Sequence, residues 1–194
     1  SGTTTVLLDT GPGSLRQMLM AGTPCNDIDL LCYTHLHVDH TADFVPLLFT
    51  SKYAPDARGR ALAIMAAPGF FEFYNKLTQA YGDWIVPERY TINWLATDTQ
   101  PVIFGPLTIT SVPVKHTPHS IAFRLQDCSG ASMVYSGDTD YCSSLVNLPA
   151  AVIFSVSMAV SSLSSESFTA PIIAAMAVTA ITYISGLNTW APAC

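Results

Sequence analysis

Three histidines and an aspartate stand within six residues, His35, His37, Asp39 and His40, directly after the apolar stretch 28 to 33. Four hydrophilic groups at one strand end are hard to account for by packing, and metal ligation accounts for them. Residues two apart in an extended segment point the same way, so His35 and His37 can meet one cation, while Asp39 and His40 in the following turn can reach a second. Imidazole and carboxylate donors suit zinc, with manganese or iron as alternatives. A fold that uses this cluster must place a loop at a strand end and bring further donors to it from elsewhere in the chain.

The rest of the chain has the means to do so. Of its 194 residues, 49% are hydrophobic and 11% charged, enough for a sizeable core, and a length that predicts a single domain over 1–194. The formal net charge of −6 gives no broad attraction to nucleic acid or to an anionic membrane. Cys25, Cys32, Cys128, Cys142 and Cys194 are widely spaced and form no Cys-x-x-Cys pair, so neither a disulfide framework nor a thiolate zinc site is expected. A reducing, cytoplasmic setting fits them best, and the first residues lack the pattern of a secretory signal.

The predicted elements begin with a strand over 4–9 closed by Thr10-Gly11-Pro12-Gly13, a helix over 14–21 and a strand over 28–33. Helices are expected over 43–53 and 68–81, the second because Phe70, Phe73, Tyr74, Leu77 and Tyr81 recur at helical spacing, a stripe read as core. From Pro101 onward short β segments at 102–104, 107–114, 121–125 and 133–135 predict hairpins. Sheets carrying helices on their outer faces are the expected arrangement. The last third differs. All eight basic residues lie at or before Arg124, and Glu166 is the one charged residue after Asp140. The apolar stretch 168–187 approaches the length of a membrane span but lacks flanking Lys or Arg and is broken by Thr169, Thr179, Thr182 and Ser185, so a buried helix and strand are expected there.

The order His-x-His-x-Asp-His at 35 to 40, Leu7-Leu8-Asp9-Thr10-Gly11-Pro12-Gly13-Ser14, His116-Thr117 before Ser120, and Tyr135-Ser136-Gly137-Asp138-Thr139 resembles the metallo-β-lactamase-fold hydrolases, in particular their ribonuclease Z-like branch. The resemblance covers residues 5 to about 149. It implies an α/β fold of four layers, an αββα sandwich lacking its first strands, with a two-metal site at one edge of the sheets. His35, His37 and His116 would bind the first metal, Asp39 and His40 the second, and Asp138 would bridge them. A bridging hydroxide oriented by Asp39 would be the nucleophile, attacking a phosphodiester in line. His119 is expected nearby or at the surface. Asp9-Thr10-Gly11 also resembles the aspartic-protease triplet, a reading that leaves the histidine cluster unexplained.

The family's later motifs are altered. No histidine follows His119. The positions in register with the missing Glu and His motifs are Ser155 or Val156, Phe168-Thr169-Ala170-Pro171 and Asn188-Thr189-Trp190, and none supplies an imidazole. The second metal would then have Asp39, His40, Asp138 and solvent. The shared loss of basic residues and motifs points to one cause, an out-of-frame or otherwise altered segment over 150–194. The resemblance implies a small-molecule or nucleotide phosphodiester as substrate, RNA being the family's substrate but unsupported by the net charge. Lys52, Arg58, Arg60 and Lys76 are candidate phosphate contacts. Competing readings are hydrolysis of a small ester, thioester or sulfate ester, and a catalytically impaired metal-binding remnant. His40 argues against antibiotic hydrolysis, since true β-lactamases of this fold generally lack that histidine. No membrane partner is expected. A homodimer is an alternative to the monomer if Trp84, Trp94 or Trp190 lies at the surface.

Overall fold

Short strands with apolar residues on both faces need cover on both sides, and the chain provides it. The computed structural model describes residues 4–98, 100–148 and the backbone of 152–154. Strands β1 (Val6–Leu8), β2 (Leu30–Tyr33), β3 (Leu62–Ala66) and β4 (Ile92–Leu95) form one sheet in that order, every pair parallel. In the second sheet β5 (Val102–Phe104), β6 (Leu107–Pro113), β7 (Ile121–Gln126) and β8 (Ser132–Tyr135) run as an antiparallel meander, and β9 (Val152–Phe154) joins β8 in parallel. The helices are α1 (Ser14–Met20), α2 (Val38–Thr41), α3 (Phe44–Tyr53), α4 (Phe70–Tyr81) and α5 (Ser143–Val146).

Alternation along each strand sorts its side chains into two cores. Leu7, Leu31, Tyr33, Leu62 and Ile64 face Met18 of α1, Phe44, Leu47 and Leu48 of α3 and Phe70 of α4. The intervening residues, Val6, Leu8, Leu30, Cys32, Ala63 and Met65, face the opposite way, onto Leu107, Ile109, Ile121, Phe123, Leu125 and Tyr135 of the second sheet. Behind that sheet Ala122 and Val134 pack with Leu145 of α5. The layers are therefore helices, parallel sheet, mixed sheet and helix, the αββα order that the resemblance implies.

The predicted elements stand with small changes of boundary, and the hairpins after Pro101 are in place. Three strands, β3, β4 and β9, were not anticipated. Leu62-Ala63-Ile64-Met65-Ala66 is composed mostly of residues that favour helix, so its strand state is set by the sheet on both sides. The segment Ile92–Leu95 is a half-buried edge strand whose alternation is too short to stand out. The aromatic stripe of α4 is core at Phe70, partly so at Phe73, Tyr74 and Leu77, and exposed at Tyr81. No helix among the described residues is long and apolar enough to cross a membrane. The expectations for 155–156, 168–187 and 188–190 lie outside the described residues.

Candidate metal centre

The parallel strands β1 and β2 end at Leu8 and Tyr33, and their next residues, Asp9 and Thr34, begin the loops that build the site. Open α/β sheets place their ligands beyond such carboxyl ends. Asp9 has φ 55, the one positive-φ non-glycine among the described residues, a conformation that a short polar side chain tolerates. The turn aims its buried carboxylate across β2. Thr34 donates to it twice, from its backbone N–H at 2.8 Å and from its hydroxyl at 2.8 Å. The Tyr135 hydroxyl donates to it from the second sheet at 3.0 Å, and His40 Nδ1 lies 2.7 Å away. Burial first, and then Asp9, push the Tyr135 phenol well above its ordinary value, which keeps it a donor.

This network orients two imidazoles. Because the Thr34 hydroxyl gives its proton to Asp9, its lone pair accepts from His35 Nδ1–H at 3.0 Å. The lone pair of His35 is thereby left on Nε2, which is buried without a hydrogen-bond partner. Asp9 acts on His40 in the same way and more directly, accepting from Nδ1–H and leaving Nε2 3.4 Å from Asp138 Oδ1. That carboxylate oxygen is also buried and unpartnered. Two acceptor atoms facing each other in this way call for a proton or a metal cation between them.

The remaining donors close round the same space. His37, in the irregular segment between β2 and α2, has Nδ1 3.0 Å from Nε2 of His116, which follows β6. His116 Nε2 is 3.7 Å from Asp138 Oδ2. Asp39 lies in the first turn of α2, its Oδ2 3.9 Å from His40 Nε2. Two groups result, His35, His37, His116 and Asp138, and Asp39, His40 and Asp138, with Asp138 in both, and within each the ligand atoms lie within 4.8 Å of one another. All six residues singled out from the sequence are thus brought together. His119 is exposed and belongs to neither group.

The donors differ in how readily they take a proton. Burial, followed by the charges of His40, His37 and His116, lowers His35 to about 3. For His40 burial is the largest single influence and lowers it, but the hydrogen bond and charge of Asp9, with the charges of Asp138 and Asp39, together outweigh burial and raise it. His35 is therefore held neutral over the ordinary pH range, whereas protonation of His40 is favoured and would compete with a metal there.

Gly137 sets how closely the two halves approach. It has φ 56, and a Cβ on it would stand 2.8 Å from Thr34 Cβ. The sequence motif showed this glycine without its reason, which is the close passage of Thr34 that delivers Asp138 to the histidines. The role of Asp9 as the shared acceptor was missed, because a lone Asp-Thr-Gly reads as turn chemistry and its four donors come from distant segments. The basic residues are placed elsewhere. Arg58 is buried and gives its N–H groups to the carbonyls of Cys25, Asn26, Ile28, Arg60 and Ala61, Arg60 pairs with Asp29, and Lys52 pairs with Glu88 at 2.7 Å. None belongs to the two donor groups.

A family model described as a beta-lactamase superfamily domain matches residues 4–167. An uncharacterized protein of Mycobacterium tuberculosis is 34% identical over 148 residues, covering 74% of this chain and 52% of its own length. Ribonuclease Z of Mycolicibacterium gilvum is 32% identical over 168 residues, covering 77% of this chain and 57% of its own. The chain spans about half the length of these curated relatives. Among solved structures, the metallo-beta-lactamase fold protein YhfI from Bacillus subtilis superposes with a TM-score of 0.63 at 26% identity, over 79% of this chain and 60% of that one. The short form of human tRNase Z gives 0.54 at 18% identity over 72% and 58%, a likeness of fold alone. The sandwich, the donor cluster and the family match agree: this chain belongs to the beta-lactamase superfamily and has the metallo-β-lactamase fold of its hydrolases.

Proposed function

We propose that the protein is a metal-dependent phosphodiesterase of ribonuclease Z-like type, with His35, His37, His116 and Asp138 holding one cation and Asp39, His40 and Asp138 a second. The observation that carries this is the pair of buried atoms without partners, His35 Nε2 and Asp138 Oδ1, inside a ring of donors in which His35 and His40 are held in the ligating tautomer. Neutral imidazoles and carboxylates in this ratio fit zinc, and the carboxylates also admit manganese. Bound cations at such a site supply Lewis acidity and lower the pKa of water. The chain's own contribution is orientation: Asp9 holds His40 directly and His35 through Thr34, and Asp39, half-exposed at the mouth, would orient the attacking water. The likeness to ribonuclease Z supports a phosphodiester substrate, and the exposure of His37 and His116 leaves the site open to one.

A second reading is favoured by one observation. The second group has three donors among the described residues, and the sequence has no histidine after His119 to complete it. On that reading the chain binds metal without turnover. Elemental analysis of protein purified without added metal, paired with hydrolysis of bis(p-nitrophenyl) phosphate, p-nitrophenyl acetate and p-nitrophenyl sulfate, separates the readings. Two metals per chain and phosphodiester turnover lost in His37→Ala support the phosphodiesterase. Turnover confined to the carboxylic or sulfate ester moves the substrate class, and one metal or none without turnover supports the remnant.

A further inference from the structure

Helix α3 starts at the metal centre, where Asp43 N–H donates to the Thr10 carbonyl, and ends about 15 Å away at Tyr53. Beyond that end lies a cavity of about 360 Å³, within the range of small-ligand sites, between the end of α3 and the segment 88–90 that leads into β4. Its lining includes Lys52, Tyr53, Arg58, Glu88, Arg89 and Tyr90. Three cations against one carboxylate make it locally positive in a chain of net charge −6.

Arg58 gives the cavity a fixed charge. It is 1% exposed, and its hydrogen bonds go to main-chain carbonyls, so the guanidinium is held by dipoles and has no carboxylate bound to it. All five of its N–H groups are taken by these carbonyls, so it acts on an anion in the cavity through its charge and not through a hydrogen bond. Arg89 is exposed on the same wall, with no ion pair or hydrogen bond among the described residues. Tyr90 packs its ring on the Arg58 guanidinium at 5.7 Å, and its buried hydroxyl lies beside that of Ser51.

The rim is aromatic. Phe49, Tyr53 and Trp84 are 41%, 49% and 61% exposed and lean on one another, the Phe49 and Trp84 rings stacked at 6.0 Å and Tyr53 at 4.8 Å from Phe49. Tyr53 belongs both to this shelf and to the cavity, and Lys52 Nζ lies 5.3 Å above its ring. The exposed Trp84 ring, near-parallel to Phe49 and tilted 51° to Tyr53, beside a cationic hollow has the two halves of a nucleotide receptor, a face for a base and a charge for its phosphate.

We propose that this cavity and its shelf form a nucleotide-binding site, with the base stacked on Trp84 and the phosphate drawn to Arg89 over the buried charge of Arg58. The site is separate from the metal centre and does not depend on the reading of that centre. Its occupant is a free mononucleotide or one unit of a single-stranded RNA. The test is equilibrium binding to the full chain of AMP, inorganic phosphate and a short oligoadenylate, by calorimetry.

The expected result is one AMP per chain, weakened about tenfold by Trp84→Ala and by Arg89→Gln and unchanged by His37→Ala. Phosphate should bind more weakly than AMP and lose affinity in Arg89→Gln but not in Trp84→Ala. Oligoadenylate binding well above AMP, with the same dependence on both residues, identifies an RNA strand, and equal affinity identifies the mononucleotide. Binding of AMP that ignores both substitutions, or that vanishes in His37→Ala, overturns the proposal. So does equal affinity for phosphate and AMP, no saturable binding of any ligand, or a dimer in sedimentation that Trp84→Ala converts to monomer. Trp84 and Arg89 are both exposed, so neither variant threatens the fold.

Discussion

An Asp9→Asn substitution keeps the shape of the side chain but exchanges one carboxylate oxygen for an amide, opposite four groups that all donate to it. At least one buried donor then meets another donor, at a cost of about 3 kcal/mol read from urea denaturation of metal-free protein. His40, released from its fixed tautomer, should also lose metal affinity, read by competition with a chromophoric chelator. Full metal affinity in the variant would contradict the role given to Asp9. The two histidines it orients should titrate apart. In metal-free protein His40, raised above its ordinary 6.5, takes a proton while His35, lowered to about 3, stays neutral, an order readable from imidazole nitrogen shifts. The signs for stability are opposite. The His40 contribution is full below pH 6.5 and fades as the pH rises through its raised value, whereas that of His35 is present above 6.5 and is lost as the pH falls towards 3.

Among the elements, the turn after β8 is the one on which closure of the site depends. Gly137→Ala adds a left-handed strain of about 1–2 kcal/mol and a clash with Thr34. Gly13→Ala carries the strain alone, since at φ 84 its Cβ would meet nothing within 4 Å. Thermal unfolding should therefore show the Gly137 variant to be less stable than the Gly13 variant by at least about 1 kcal/mol, and metal binding should weaken in it alone. Equal losses would mean that the passage of Thr34 leaves room for a methyl group. The contrast between a loop and a long-range approach recurs throughout the chain. The donor cluster at 35 to 40 was legible in the sequence because one loop contains it and such a set of side chains has few uses besides ligation. Strand β3 was not, because Leu, Ala and Met leave a five-residue segment undecided until neighbours pair with it. In the shelf, Phe49 and Tyr53 are an i,i+4 pair of α3, but the arrival of Trp84 from another segment has no sequence signature.

For the whole molecule, the donors come from both sheets, so a cation bound to them ties the two halves of the sandwich together. Chelation should lower the unfolding temperature reversibly, since a ligand at about a hundred times its Kd adds about 2.7 kcal/mol to the folded state. A midpoint unmoved by chelator and by restored zinc would mean that no metal is held across the sheets. The four layers were foreseeable from the motif order, whereas the joining of the layers through Asp9 and Tyr135, 126 residues apart, was not, since nothing local marks a partner at that distance.

That separation also bears on how the protein is made. A ribosome delivers the loop with His35, His37, Asp39 and His40 long before it delivers His116 and Asp138, by roughly 10 s at about 10 residues per second. During that interval the nascent chain has part of a chelator and no pocket, while Asp9 awaits Tyr135. A cation held by all of these donors can then be bound only after Asp138 has emerged.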